Sequence, residues 1–415
     1  MNPKLAHVIG GGTHFHVRPH FALSAPAYGA TARQLASLLE ARSQATRLHL
    51  TRMAGGDRDL DTNADVARLV EALVCDPATG LLFMPVALTD YIGDIETGGR
   101  PTASGKGAPR LRTTDGDQLL HLSPAAKVIG NVRRTRKDIF LVGFKTTAGA
   151  HAKEQFAQGL ELLKRSSCNL VLANDLHTRT NMVITPEEAC HHVTTDREAA
   201  LLALVEMSLL RSGLTFTRST VIDGAPIPWT SELVPDTLRC VVDHCIGRGA
   251  YKPFLGTTVG HFAVKIDKDL FLTSRRKTNF NRLGEVGLVL VEARGEHEVV
   301  AHGARPSVGG QSQRIIFAEH PDVDCIVHFH CPLRAGSRVP VRSQRPFECG
   351  SHECGKNASD GLERFGDVWA VMLGGHGPNI AFRRNADPAR VICFIEDNFD
   401  LRGSTSGVST LEASA

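Results

Sequence analysis

The chain carries little net charge. Lys and Arg total 47 against 44 Asp and Glu, a net +3 over 415 residues, so composition gives no electrostatic case for binding nucleic acid or a membrane surface. No apolar run is long enough to span a bilayer. The opening Met1-Asn2-Pro3-Lys4-Leu5-Ala6-His7-Val8-Ile9-Gly10 lacks the apolar core of a signal peptide. Tyrosine is scarce, three in all and none after Tyr251, which excludes a tyrosine acid from the C-terminal region. Ten cysteines are scattered without the spacing of a small disulfide scaffold. The expectation is a cytoplasmic protein with most thiols buried as small apolar groups. Cys349, His352 and Cys354 lie close enough to suggest a metal cluster, but no second Cys pair completes a zinc set.

What is present is the composition of a globular protein, 42% hydrophobic and 22% charged, with length for two or more domains. Two segments stand out. Cys325-Ile326-Val327-His328-Phe329-His330 is an apolar run ending in His-x-His, and Val371-Met372-Leu373-Gly374-Gly375-His376-Gly377 is one ending in a lone His before Gly. Alternate strand residues share a face, so His328 and His330 can aim two imidazoles at one point, with His376 as a third. Three neutral imidazoles with open positions suit a catalytic divalent metal, zinc first and manganese second. Histidines packed in a core or turn are the competing reading, since the chain has 19.

The first half alternates strands with helices, which predicts an α/β fold with a Rossmann-like parallel sheet. Strands are expected at 5–12, 48–51, 81–86, 139–144 and 170–173, and helices at 30–42, 65–74, 152–164 and 196–212. Residues 97–118 read as a mobile loop and 214–233 as a linker between domains 1–213 and 234–401. The second half predicts helices at 235–248, 309–319 and 387–400. Its strands are expected at 260–266, 270–273, 287–293, 297–301, 323–330 and 368–373. The tail 402–415 is expected to be disordered.

From about residue 235 to 400 the sequence resembles the class II aldolase/adducin family. Gly256-Thr257-Thr258-Val259-Gly260 stands where that family has a Gly-Asn phosphate loop, and Leu272-Thr273-Ser274-Arg275-Arg276 where it has a Thr-Pro/Ser-x-Gly turn. Arg305-Pro306-Ser307 matches its Lys-Pro-Ser, and the three histidines match its metal ligands. The resemblance implies an α/β/α fold with a mostly antiparallel sheet, and a homo-oligomer, usually a tetramer with sites between subunits. It implies a metal that polarises a carbonyl–hydroxyl pair and stabilises an enediolate. Thr258, Ser274, Arg275 and Arg276 would then hold a phosphate or carboxylate, although a solvated turn explains the arginines equally well. The family's Glu is missing: the segment reads Pro306-Ser307-Val308-Gly309-Gly310-Gln311. Glu348 or Glu353 would have to substitute as catalytic carboxylate, or the chemistry differs, or the site only binds.

Residues 5–210 resemble phosphopantothenoylcysteine synthetase, a CTP- or ATP-dependent ligase. The matching pieces are Ile9-Gly10-Gly11-Gly12-Thr13, Val17-Arg18, Met84-Pro85-Val86-Ala87-Leu88-Thr89-Asp90-Tyr91, Leu141-Val142-Gly143-Phe144-Lys145-Thr146, Leu170-Val171-Leu172-Ala173-Asn174-Asp175 and Asn181-Met182-Val183-Ile184. Gly10, Gly11, Gly12 and Thr13 would offer backbone N–H groups to phosphates. Asp90, Asn174 and Asp175 would stand at strand ends where open parallel sheets bind ligands. Phe144 would flank a base, unless it is core packing, and Lys145 would meet a phosphate. The family's Asn-x-Ser-Ser-Gly-Lys is replaced by Ala22-Leu23-Ser24-Ala25-Pro26-Ala27, and its later Lys by Ser166. Nucleotide binding, with magnesium, on behalf of an altered substrate is expected.

Together these readings describe a bifunctional enzyme, ligase-like then lyase-like, on small phosphorylated or hydroxylated metabolites. The alternatives are a binding or assembly protein with degenerate sites, and a metal enzyme with a nucleotide-sensing first domain.

Overall fold

The computed structural model describes residues 4–97 and 100–403, so most of the tail expected to be disordered lies outside the described residues. In chain order the first elements are β1 (Leu5–Gly10), β2 (Thr13–Arg18), β3 (Phe21–Ala25), α1 (Ala30–Glu40), β4 (Thr46–Leu50), α2 (Asn63–Cys75), β5 (Thr79–Phe83), β6 (Tyr91–Thr97), β7 (Arg100–Thr102) and β8 (Leu119–Pro124). They are followed by α3 (Gly130–Thr135), β9 (Phe140–Thr147), α4 (Ala152–Ser166), β10 (Leu170–Asp175), β11 (Asn181–Ile184), β12 (Cys190–Thr194) and α5 (Arg197–Ser212). A seven-stranded sheet has the order β12-β11-β10-β9-β5-β1-β4, and β10, β9, β5, β1 and β4 run parallel.

Sequence explains that sheet. Val8, Ile9, Leu82, Phe83, Leu141, Val142 and Leu170 to Ala173 are all buried, the continuous apolar runs expected of strands covered on both faces. Helix α2 starts where Thr62 accepts from the Asp65 N–H while the Asp65 carboxylate accepts from the Thr62 N–H, a capping box. Two small sheets went unforeseen, the hairpin β2–β3 and the antiparallel set β7-β6-β8. Of the stretch expected as a mobile loop, residues 98 and 99 lie outside the described residues, and residues 100–118 supply β7 and its connection to β8. Its Gly, Thr and Pro content is that of turns between short strands.

The later elements are β13 (Arg218–Ile222), α6 (Asp236–Gly247), β14 (His261–Asp267), β15 (Leu270–Ser274), α7 (Leu283–Val286), β16 (Leu288–Ala293), β17 (Glu298–His302), α8 (Gln311–Glu319) and β18 (Cys325–His328). Then come β19 (Val341–Ser343), α9 (His352–Gly361), β20 (Glu363–Phe365), β21 (Val368–Gly374), β22 (Gly377–Phe382) and α10 (Pro388–Asn398). The sheet order is β13-β17-β16-β15-β14-β18-β22-β21-β19, with β20 beside β21. Only the β13–β17 and β19–β21 pairs are parallel among the described ladders. The segment expected as a linker thus supplies β13, which completes one sheet edge. Alternate residues of β21 divide between two apolar clusters. Val368, Ala370 and Met372 join Val241 of α6 and Val391 of α10. Trp369, Val371 and Leu373 join Ile316 of α8 and Ala358 of α9. This is the α/β/α arrangement, one core on each sheet face.

Strand β18 ends at His328, two residues short of expectation. Its partner register closes at His328 opposite Asn379, and the next partner residue, Pro378, has no N–H to continue the ladder.

Candidate metal centre

Contacts divide the chain into two units, one built around residues 1–149, 158–183 and 194–208, the other around 150–157, 184–193 and 209–415. The three histidines belong to the second. His328 ends β18, His330 lies just beyond it, and His376 occupies the turn between β21 and β22. All three are buried. Their ring centroids stand 5.1, 4.6 and 4.9 Å apart, for 328–330, 328–376 and 330–376. One potential ligand atom from each lies within 4.8 Å of the others.

The turn is built for this. Gly375 and Gly377 have φ +75° and +148°, conformations that L-residues rarely adopt. A Cβ at Gly377 would also stand 2.1 Å from the Phe329 carbonyl oxygen. The turn therefore packs tightly on the segment carrying the other two histidines.

His328 Nδ1 lies 2.7 Å from the Pro378 carbonyl oxygen. A carbonyl only accepts, so Nδ1 carries the proton and Nε2 presents its lone pair. That Nε2 is buried and has no hydrogen-bond partner among the described residues. Burial holds His328 down at about 4, against the Pro378 hydrogen bond that raises it. Burial first, then His328 and the Arg211 charge, pushes His376 well below the imidazole range. Neutral imidazoles with an inward lone pair are what a divalent metal requires. The residues fit the expected metal.

The supporting shell was not foreseen. His261 opens β14 directly opposite His328, with ring centroids 4.8 Å apart. Its Nε2 meets Ser312 Oγ at 3.3 Å, and its buried Nδ1 has no hydrogen-bond partner among the described residues. Only strand register brings His261 here; a lone Gly-His-Phe gives no signal in sequence. The Arg211 and Glu187 side chains form an ion pair at 3.0 Å, both fully buried.

The remaining residues expected at this site divide. Gln311, which replaces the family's Glu, accepts from Thr217 Oγ1 and its Nε2 lies 3.0 Å from His352 Nδ1. The Glu353 carboxylate accepts from the Thr215 N–H at 3.1 and 3.2 Å, so it is committed to joining two segments. Glu348 is buried. Ser274 Oγ meets Ser307 Oγ at 3.1 Å, and Thr258 Oγ1 donates to the Thr278 carbonyl and accepts from the Phe280 N–H. These hydroxyls are occupied locally. Arg275 donates to the Val286 carbonyl at 2.8 Å, whereas Arg276 is exposed. Cys349, His352 and Cys354 do not form a ligand set among the described residues, where three or more potential ligands converge in two other places. Gln344 Nε2 donates to Cys354 Sγ at 3.2 Å, and burial pushes the Cys349 thiol well up.

In the first unit the Gly10–Thr13 turn follows β1 as expected. Its glycines are required by packing: a Cβ at Gly10 would lie 2.1 Å from Ala32 Cβ, and one at Gly12 2.1 Å from the Ala25 carbonyl oxygen. Thr13 Oγ1 donates to Asn63 Oδ1 at 2.7 Å. Asp90 is largely exposed and pairs with Lys127 at 2.6 Å. Phe144 and Lys145 are half-buried on β9. Asn174 Oδ1 accepts from Thr146 Oγ1 at 3.3 Å. Buried Asp175 accepts from Thr147 Oγ1 at 2.8 Å and from the His177 and Thr178 N–H groups at 2.9 Å each, so it braces its own turn.

The second converging set is His14, His16 and Asp61. Burial alone would raise Asp61, but hydrogen bonds from Lys106, His16 and His14 outweigh it and hold the carboxyl well below the usual range. The signal was in the sequence as a second His-x-His at 14–16.

Residues 250–336 match the family described as the Class II Aldolase and Adducin N-terminal domain. The match includes His328 and His330, and His376 follows it. Among solved structures, the chain is similar to the DNA/Pantothenate Metabolism Flavoprotein from Streptococcus pneumoniae, at 18% identity over 50% of this chain and 99% of that one, TM-score 0.42. It is similar to the C-terminal domain of the Coenzyme A biosynthesis bifunctional protein CoaBC, at 10% identity over 50% and 95%, TM-score 0.36. It is also similar to an L-fuculose 1-phosphate aldolase, at 20% identity over 44% and 90%, TM-score 0.31. No curated protein matches the chain. The class II aldolase resemblance drawn from the motifs is met again in the family match. Among the described residues, no helix is long and apolar enough to cross a membrane.

Proposed function

We propose that the class II aldolase-like half is a divalent-metal-dependent lyase-type domain acting on a small phosphorylated, hydroxy-acid or sugar-like metabolite. The ligase-like N-terminal half would bind CTP or ATP with magnesium. A cytoplasmic homo-tetramer completes the proposal. The observation that carries it is the trio His328, His330 and His376, buried, with His328 oriented by Pro378 so that Nε2 is free for a ligand bond.

A metal bound there would polarise a carbonyl or hydroxyl oxygen of the substrate. Zinc suits an all-imidazole set, and manganese is the second choice. Gln311 cannot abstract a proton and is already held by Thr217 and His352. Glu353 is held at Thr215; buried Glu348 is the carboxylate proposed as the base. Exposed Arg276 is the residue proposed to meet an anionic group of the substrate, whereas partly buried Arg275 already donates to the Val286 carbonyl. In the first half, Lys145 and Asn174 support the nucleotide reading more directly than the packed glycines do. One observation favours a second reading, a binding protein without turnover: Gln311 stands where the aldolase-like pattern has a carboxylate.

The test is a panel of phosphorylated ketoses and hydroxy-acids offered to metal-loaded protein, with carbonyl release and epimer formation followed. Turnover lost in His376→Ala supports the lyase-type reading. Full metal occupancy without turnover favours the binding protein. Separately, millimolar CTP or ATP with magnesium should raise the melting temperature by mass action; no shift removes the nucleotide proposal.

A further inference from the structure

We propose that His14, His16 and Asp61 form a second divalent-metal site, separate from the histidine trio, in which Lys106 acts as an internal cation that the metal displaces. It stands independently of both the lyase and the nucleotide readings.

The geometry is that of a built site. His14 and His16 alternate on β2, so their rings share one face, with centroids 5.7 Å apart. Asp61 reaches both at once: Oδ1 lies 2.9 Å from His14 Nδ1, and Oδ2 lies 2.9 Å from His16 Nε2. The carboxylate side chain is only 4% exposed. Its backbone is fixed from both sides. The Asp61 N–H donates to Asp65 Oδ2 at 3.1 Å, and its carbonyl accepts from the His14 N–H at 2.8 Å. Asp65 is itself locked into the α2 capping box. Strand and helix start are thus tied together at the point where the three donors meet.

The donor set is specific. Two imidazoles and one carboxylate suit zinc, manganese, iron or cobalt, and leave coordination positions for water or an anionic oxygen. Ligand bonds of about 2.0–2.2 Å at tetrahedral angles place donor atoms about 3.3–3.6 Å apart. The observed 2.9 Å contacts would open by about 0.4–0.7 Å, and one potential ligand atom from each residue already lies within 4.8 Å of the others. Both imidazoles are partly exposed, 28% and 17%, so an ion has access.

A cation already stands at this carboxylate. Lys106 Nζ lies 2.7 Å from Asp61 Oδ2, on a side chain that is 55% exposed. It can swing into solvent without leaving a buried charge unpaired, provided another cation replaces it. The alternative is a permanent cluster of hydrogen bonds, and Lys106 decides between them. In a displacement site its removal tightens metal binding, whereas in a permanent cluster its removal only loosens the hairpin.

The experiment uses the full chain carrying His328→Ala and His330→Ala, which removes the trio from the count. It is loaded with Co(II) or Zn(II), then read by elemental analysis and, for cobalt, by ligand-field absorption. We expect one ion per chain to remain, and to be lost when Asp61→Asn or His16→Ala is added. Lys106→Met should retain the ion and bind it roughly 2- to 5-fold more tightly, the scale of a partly exposed ion pair. No bound ion in the His328/His330 variant, or a count unchanged by Asp61→Asn, overturns the proposal. Should that variant fail to fold, His14→Ala/His16→Ala is read in the otherwise unaltered chain. The expectation is one ion fewer than wild type, and an equal count overturns it. A trio that binds nothing would show instead as a wild type holding a single ion that Asp61→Asn removes.

Discussion

His328 gives its Nδ1 proton to the carbonyl of Pro378, 2.7 Å away, so the turn that holds His376 also aims His328. The orientation of His328 is set by the backbone two residues beyond His376. The closeness of that turn to the Phe329–His330 segment is the condition for the whole site.

Gly377→Ala tests that condition. The new Cβ would meet the Phe329 oxygen at 2.1 Å with φ at +148°, so either β18 or the turn must move. The expected cost is about 2–4 kcal/mol of stability together with weakened metal binding. Gly366→Ala is the control. It has φ +64° but open space around it, so about 1 kcal/mol and unchanged metal binding are expected. Chemical denaturation and metal titration of both variants measure the contrast.

Arg211→Met should cost about 3–5 kcal/mol, because it strands the fully buried Glu187 carboxylate. Adding Glu187→Leu removes the stranded charge and should recover a large part of that loss. Urea midpoints of the two variants check the order: the double variant is expected to be the more stable.

Glu396 predicts part of the acid sensitivity. The Arg248 hydrogen bond, ahead of the one from His244, holds its pKa below the reference 4.5. A carboxyl lowered by folding contributes stability that is fully present above its unfolded value, and lost as pH falls through the folded one. Glu396→Gln should therefore flatten the stability profile below about pH 4.5. Denaturation midpoints between pH 3 and 7 would show it; a parallel profile contradicts it.

Thiol labelling tests the cysteine assignment. Cys75, Cys240 and Cys393 are exposed, and burial pushes Cys168, Cys331 and Cys354 up to about 12. In native protein at neutral pH the three exposed thiols should react first and the buried ones only on unfolding. Cys349→Ser with Cys354→Ser should leave metal content unchanged.

Much of this was legible in the sequence because burial writes period-2 and continuous apolar patterns directly. Val8, Ile9, Leu82, Phe83 and Leu170 to Ala173 announce a sheet covered on both faces, and the His-x-His and His-Gly endings announce the trio. Partners set by register or long-range contact were not legible. His261 reaches His328 only because β14 pairs with β18, and Arg211 meets Glu187 only through folding. The β2–β3 hairpin was hidden by the glycines before it, which read as a phosphate turn but are demanded by the close approach of Ala32 and Ala25.

The most direct test of the metal centre is elemental analysis of purified, zinc-loaded protein, wild type beside His330→Ala. The trio predicts that His330→Ala holds one divalent ion per chain fewer than wild type, with circular dichroism unchanged. Equal metal content in the two proteins would contradict it.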